Sequence, residues 1–260
     1  MSGLAISQNG AVLRFVTDNG SWIRARPVLN STGHLIGLKE TTMGLLIGAN
    51  GQPIQRTYKK DAESLFRING GYVTSFETHH RLLKYRSNKS PFSGRGDPVS
   101  APHHLIDAHR NKGMEAAVAL NDGRWVVFAE NFPEDEPNLF GWVLQKQRWR
   151  PFDYTRTGEF QPSGAALLPS GNVLILERRF SFLGGFGSRL AVILQHDIRP
   201  GATLRSQEIA RLEPPLVEEN FEGAAAYKNK TGETIIYIVS DDNFSPLQST
   251  LLLMFKLRNP

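Results

Sequence analysis

The sequence predicts an all-β protein, a β-propeller of four-stranded blades. Three observations predict it. Apolar runs such as Trp125-Val126-Val127-Phe128, Asn172-Val173-Leu174-Ile175-Leu176 and Thr234-Ile235-Ile236-Tyr237-Ile238-Val239 are short, rich in β-branched and aromatic residues, and bounded by Asn, Asp and Gly turns. Helical spacing of about 3.6 residues is almost absent. One unit also recurs about every 50 residues: an anchor, a small apolar strand, a Gly turn, a second apolar strand and an acid.

The third copy shows the unit best, from Glu115-Ala116-Ala117 through Asn121-Asp122-Gly123-Arg124 to Glu130. The second runs from Glu63 through Gly70-Gly71 to Glu77, and the fourth from Gly164-Ala165-Ala166 through Ser170-Gly171 to Glu177. The fifth runs from Glu222-Gly223-Ala224 through Thr231-Gly232 to Asp241. The first is looser, from Leu4-Ala5-Ile6 through Asn9-Gly10 to Asp18. The anchors are therefore Leu4, Glu63, Glu115, Gly164 and Glu222, separated by 59, 52, 49 and 58 residues. Third strands follow at Ser21–Arg24, Arg81–Tyr85, Gly141–Leu144 and Leu190–Leu194.

The last copy ends on its third strand, Thr250 to Leu257. Propellers avoid an open edge by borrowing a strand from the other terminus, so a closing segment is expected upstream of Met1. Five copies leave five or six blades open. Residues 1–260 are expected to form one monomeric propeller domain.

With 40% hydrophobic and 21% charged residues the composition is globular. The absence of cysteine excludes disulfides and thiol chemistry. A net charge of +5 favours anionic partners, yet no dense Lys/Arg run or nucleic-acid motif is present, so nucleic acid is not expected as a partner. No stretch reaches the roughly 18 apolar residues of a membrane span. The N-terminus lacks the charged and apolar regions of a signal peptide.

In an antiparallel hairpin the start of the first strand lies beside the end of the second. Anchors and acids thus converge on one mouth of the channel: Glu63, Glu115 and Glu222 with Asp18, Glu77, Glu130, Glu177 and Asp241. So many carboxylates need compensation, by a hard cation such as Ca²⁺, which takes roughly six to eight oxygens, or by raised carboxyl pKa values. Each acid could instead fasten one blade to the next through a backbone amide or a basic neighbour. Lys59-Lys60, His79-His80-Arg81, Lys112 and Arg178-Arg179 share that end, and an ion-pair lattice is the alternative to phosphate binding there. His103-His104 and Gly184-Gly185-Phe186-Gly187 read as loops. Arg95-Gly96-Asp97 reads as a chance match to an adhesion tripeptide, and no Gly-x-Ser-x-Gly elbow occurs.

The motifs Asp61-Ala62-Glu63-Ser64 with Ser75-Phe76-Glu77, Gly113-Met114-Glu115-Ala116 with Asp122-Gly123-Arg124, Leu176-Glu177-Arg178-Arg179-Phe180, Asn220-Phe221-Glu222-Gly223 and Ser240-Asp241-Asp242-Asn243-Phe244 resemble the bacterial phytase-like propeller family, described as having esterase-like activity. The resemblance runs over essentially the whole chain. It implies a periplasmic or secreted protein that hydrolyses phosphate or other esters with Ca²⁺, although a cytoplasmic setting remains open without a signal peptide. Leu4 departs from the acidic anchor. On this reading Glu63, Glu115 and Glu222 are the catalytic candidates. Glu77, Glu130, Glu177, Asp241 and Asp242 are the metal candidates, and Arg81, Arg178 and Lys112 hold a small anionic ester. The rival readings are a scaffold that binds a protein or glycan, and a Ca²⁺-dependent lactonase.

Overall fold

A computed structural model describes residues 1–54, 60–86, 91–103, 105, 113–134, 136–181 and 185–258. The strands form five antiparallel blades, each laid down in sequence order from the channel outward. Blade one is β1 (Gly3–Ile6), β2 (Leu13–Val16), β3 (Ser21–Leu29) and β4 (Leu35–Leu45), and blade two is β5 (Ala62–Ile68), β6 (Gly71–Phe76), β7 (Arg81–Arg86) and β8 (Asp97–Val99). Blade three is β9 (Met114–Ala119), β10 (Trp125–Ala129), β11 (Asn138–Gln145) and β12 (Arg148–Thr155). Blade four is β13 (Gln161–Leu167), β14 (Val173–Ser181), β15 (Gly185–Ile193) and β17 (Gln207–Leu212). Before β17 the chain crosses back, and β16 (Thr203–Leu204) joins β12 of blade three in parallel. Blade five has three strands among the described residues: β18 (Phe221–Lys228), β19 (Thr234–Ser240) and β20 (Leu252–Leu257).

The inner strands β1, β5, β9, β13 and β18 pack side by side, and β18 returns to β1. The ring therefore closes with five blades, which settles the number the repeats left open. Five apolar clusters fill it, one at each junction of neighbouring blades. Phe128, Tyr154 and Ile175 lie between blades three and four, and Leu13, Phe15 and Tyr237 between blades five and one. Burial of these faces against one another drives the ring shut. The inner hairpins turn on glycines; Gly123, at φ 86°, adopts the left-handed backbone such a turn needs.

A five-membered ring draws its inner strands close, which explains their small residues. A Cβ on Gly164 would lie 2.5 Å from the Glu222 carbonyl oxygen, and one on Gly3 2.6 Å from the Leu65 nitrogen. Gly164 is therefore a spacer. Bulges confirm this: the pairing skips Ser163 between Pro162 and Gly164, and skips Glu222 between Phe221 and Gly223. The counterpart of Glu222 is thus Ser163 in blade four. In blade one it is Ser2, whose amide bonds Val16, and not Leu4, which pairs in register with Phe15. No helix among the described residues is long and apolar enough to cross a membrane.

Candidate functional site

The register places two concentric rings of side chains at the end where β1 starts and β2 finishes. The inner ring follows the bulges and holds Ser2, Glu63, Glu115, Ser163 and Glu222. The outer ring follows the second strands and holds Asp18, Glu77, Glu130, Arg178 and Asp241. A strand bulge re-aims one side chain without breaking the sheet, and here it turns Glu115 and Glu222 into the mouth.

Asp61, Glu63 and Glu77 form the tightest group, each offering an oxygen within 4.8 Å of the others. Asp61 lies just before β5, so blade two alone supplies all three. Glu77 Oε1 also accepts the Gly113 N–H at 2.5 Å. Burial, then the carboxylates of Glu77, Glu222, Asp61 and Asp18, push Glu63 well above the usual range. Burial with Glu63, Glu77 and Glu130 does the same to Glu115, against an opposing pull from Arg178. Burial raises Glu77 to about 7 despite the Gly113 bond, and burial also raises Asp61. The donors are all hard carboxylate oxygens, close enough to share one ion, and they fit Ca²⁺ better than a softer metal.

Arg178 balances the other side of the mouth. Its Nη2 donates to Glu130 Oε1 at 2.8 Å, and its Nη1 to Glu222 Oε1 at 2.5 Å and to Asn220 Oδ1. Asn220 Nδ2 donates to Glu222 Oε1 at 2.8 Å. Burial alone would lower the guanidinium, but Glu222, Glu130 and Glu115 more than offset it and hold it above its ordinary value. Burial keeps Glu222 raised even so.

The structure thus brings together Glu63, Glu77, Glu115, Glu130, Arg178, Glu222 and Asp241, the last accepting the backbone nitrogen of Met1 and the Asn243 N–H. It sets three other candidates apart. Glu177 sits one residue before the outer-ring position and is fully buried between blades three and four. There it meets Arg189 Nε at 2.6 Å and the Tyr154 hydroxyl at 3.0 Å. Asp242 accepts the Phe244 N–H at 3.1 Å and caps a loop. Arg81 stacks over Phe76 at 4.1 Å and lines a separate cavity beside residues 48–54, where burial lowers it to about 10. Lys112, with Lys59 and His104, lies outside the described residues. The residue passed over is Asp61, whose signal was its Asp-x-Glu spacing to Glu63.

Several solved structures share the fold. An endo-arabinase from Bacteroides thetaiotaomicron is 12% identical with a TM-score of 0.54, covering 99% of this chain and 93% of that one. An α-L-arabinofuranosidase from Podospora anserina is 12% identical with a TM-score of 0.52, covering 100% and 92%. A luciferin-regenerating enzyme is 11% identical with a TM-score of 0.51, covering 97% and 90%. At such identities the likeness is one of fold. No curated protein matches the sequence. The family model described as phytase-like, esterase-like activity of phytase, matches residues 1–244, and the chain belongs to that family.

Proposed function

We propose that this chain hydrolyses phosphate or other esters of small anionic substrates at the acidic mouth. The observation that carries the reading is the convergence of Asp61, Glu63 and Glu77 beside Glu115, with raised carboxyl pKa values and Arg178 already committed to Glu130 and Glu222. Asp61, Glu63 and Glu77 would hold Ca²⁺, which when bound polarises an ester oxygen and neutralises charge. Glu115 is buried and retains its proton to a higher pH than an exposed carboxyl, which suits it to protonate a leaving oxygen. Glu222 is fixed by Arg178 and Asn220 and orients water beside Glu115. Arg178 positions these carboxylates and is not a substrate clamp. An exported setting, where Ca²⁺ is plentiful, accords with the family reading.

The test is hydrolysis of phytate, p-nitrophenyl phosphate, p-nitrophenyl acetate and gluconolactone, each with Ca²⁺ and with chelator. Chelator-sensitive turnover of an ester, lost in Glu63→Gln and Glu115→Gln, is expected. Turnover of the lactone alone would replace the ester reading with a lactonase. No turnover by folded protein would leave a binding scaffold.

A further inference from the structure

Beside the acidic mouth, at the junction of blades three, four and five, a cavity of about 600 Å³ opens between Glu130, Glu222 and a basic and aromatic wall. This volume suits a small organic ligand, for which sites run roughly 300–1,000 Å³. That wall includes Arg156 just after β12, Arg179 and Phe180 on β14, Phe186 on β15, and Asn131 just after β10. Glu159 also lines the cavity, and Arg178 lines it where it neutralises Glu130 and Glu222.

Phe180 and Phe186 are cross-strand partners with ring centroids 4.9 Å apart and planes tilted by 52°. Phe180 is 63% exposed, so its ring is open to a partner on the cavity side. Arg179 pairs across the strand with Gly187, where a Cβ would approach its Nε to 3.0 Å, so the glycine leaves room for the guanidinium. That guanidinium meets Glu213 at 3.3 Å through Nη2 and lies over Phe160. Three polar atoms in the wall are buried with no hydrogen-bond partner among the described residues: Arg156 Nε, Arg179 Nε and Asn131 Oδ1. Buried polar atoms are almost always paired, so the side chains of this wall are not fully satisfied by the protein itself.

We infer that this cavity binds an anion with a planar apolar group. The charged end meets Arg156 and Arg179, a hydroxyl or amide meets Asn131, and the apolar group lies on Phe180 and Phe186. Guanidinium N–H groups pair readily with phosphate or carboxylate oxygens, and aromatic rings favour a planar partner. As a substrate subsite this rests on the hydrolase reading, and it names an aryl-type anionic ester rather than a compact polyanion. As a binding site it does not depend on that reading.

The test is calorimetric titration with 1-naphthyl phosphate, inorganic phosphate and 1-naphthol, in chelator so that cation binding is silent. 1-Naphthyl phosphate is expected to bind at least tenfold more tightly than either half. Phe180→Ala, at an exposed position where folding is not at stake, should weaken it about threefold to tenfold and leave inorganic phosphate unchanged. Arg179→Gln should weaken both phosphate probes about tenfold or more and leave 1-naphthol unchanged. Equal binding of inorganic and naphthyl phosphate, or insensitivity to both substitutions, would overturn the inference. Binding as expected without turnover of any ester would strike the hydrolase reading alone, whereas turnover without such binding would strike this inference alone.

Discussion

Arg178 of blade four lies 2.5 Å from the Glu222 carboxylate of blade five, and the same guanidinium reaches back to Glu130 of blade three. One cation therefore ties three blades at the point where acids crowd. Removing it leaves buried carboxylates facing one another. Arg178→Gln is expected to cost about 3 kcal/mol or more, the usual result of stripping one partner from a buried pair. Thermal unfolding checks this, and part of the loss should return at lower pH as Glu222 and Glu115 take up protons.

The raised carboxyl pKa values give stability a definite pH slope. Glu77 moves from 4.5 to about 7, so the folded chain retains a proton that the unfolded chain releases. Its contribution is full below about pH 4.5, is lost as pH rises towards 7, and stays absent above. Glu63 and Glu115 shift in the same direction. In chelator, Tm should therefore fall between pH 5 and pH 8. Adding Ca²⁺ should raise Tm more at pH 8 than at pH 6, and a Tm that climbs across this range in chelator would contradict the electrostatic picture.

Glu63→Gln should separate stability from function. Taking one charge from the Asp61, Glu63 and Glu77 group relieves repulsion, so the variant in chelator at pH 8 should melt higher than wild type. Its Ca²⁺ affinity, measured by titration, should fall about tenfold or more.

Glu177→Gln should do the reverse. Arg189 and Tyr154 lose a fully buried partner, and a cost of about 2–4 kcal/mol is expected by denaturant unfolding. Ca²⁺ affinity should stay at the wild-type value, because Glu177 faces the seam between blades three and four.

Gly164→Ala tests the tightness of the channel. Its new methyl would meet the Glu222 carbonyl oxygen at 2.5 Å, so the variant should lose about 1–3 kcal/mol and displace Glu222 as well. Stability and turnover are expected to fall together.

The blades were legible because each hairpin announces itself: Asn121-Asp122-Gly123 between two apolar runs needs no partner to be read. What a repeat cannot display is a bulge. Ser163, skipped just as Glu115 and Glu222 are, takes the inner-ring position one residue before Gly164, and Arg178, the partner of Gln161, takes the outer one in place of the acid beside it. Glu177 found its partner in Arg189, on the next strand of the same sheet, a pairing set by register and not by the repeat. Asp61 escaped because it precedes its strand, and only the folded chain brings it against Glu77. Nearness to Glu77 in sequence points Arg81 at the mouth, yet it stacks on Phe76 and lines another cavity.

The return of β16 to blade three makes the five wedges unequal. Thr203 and Leu204 pair with Asp153 and Tyr154, and the Tyr154 hydroxyl contacts both Ser206 and Glu177. Blades three and four are thus laced by backbone as well as packed by side chains. They should open as a single cooperative unit, with the amides of β12 and β14 exchanging last, while blade five, three-stranded among the described residues, should exchange sooner. The acidic mouth straddles that boundary: Arg178 belongs to the laced pair of blades and Glu222 to blade five.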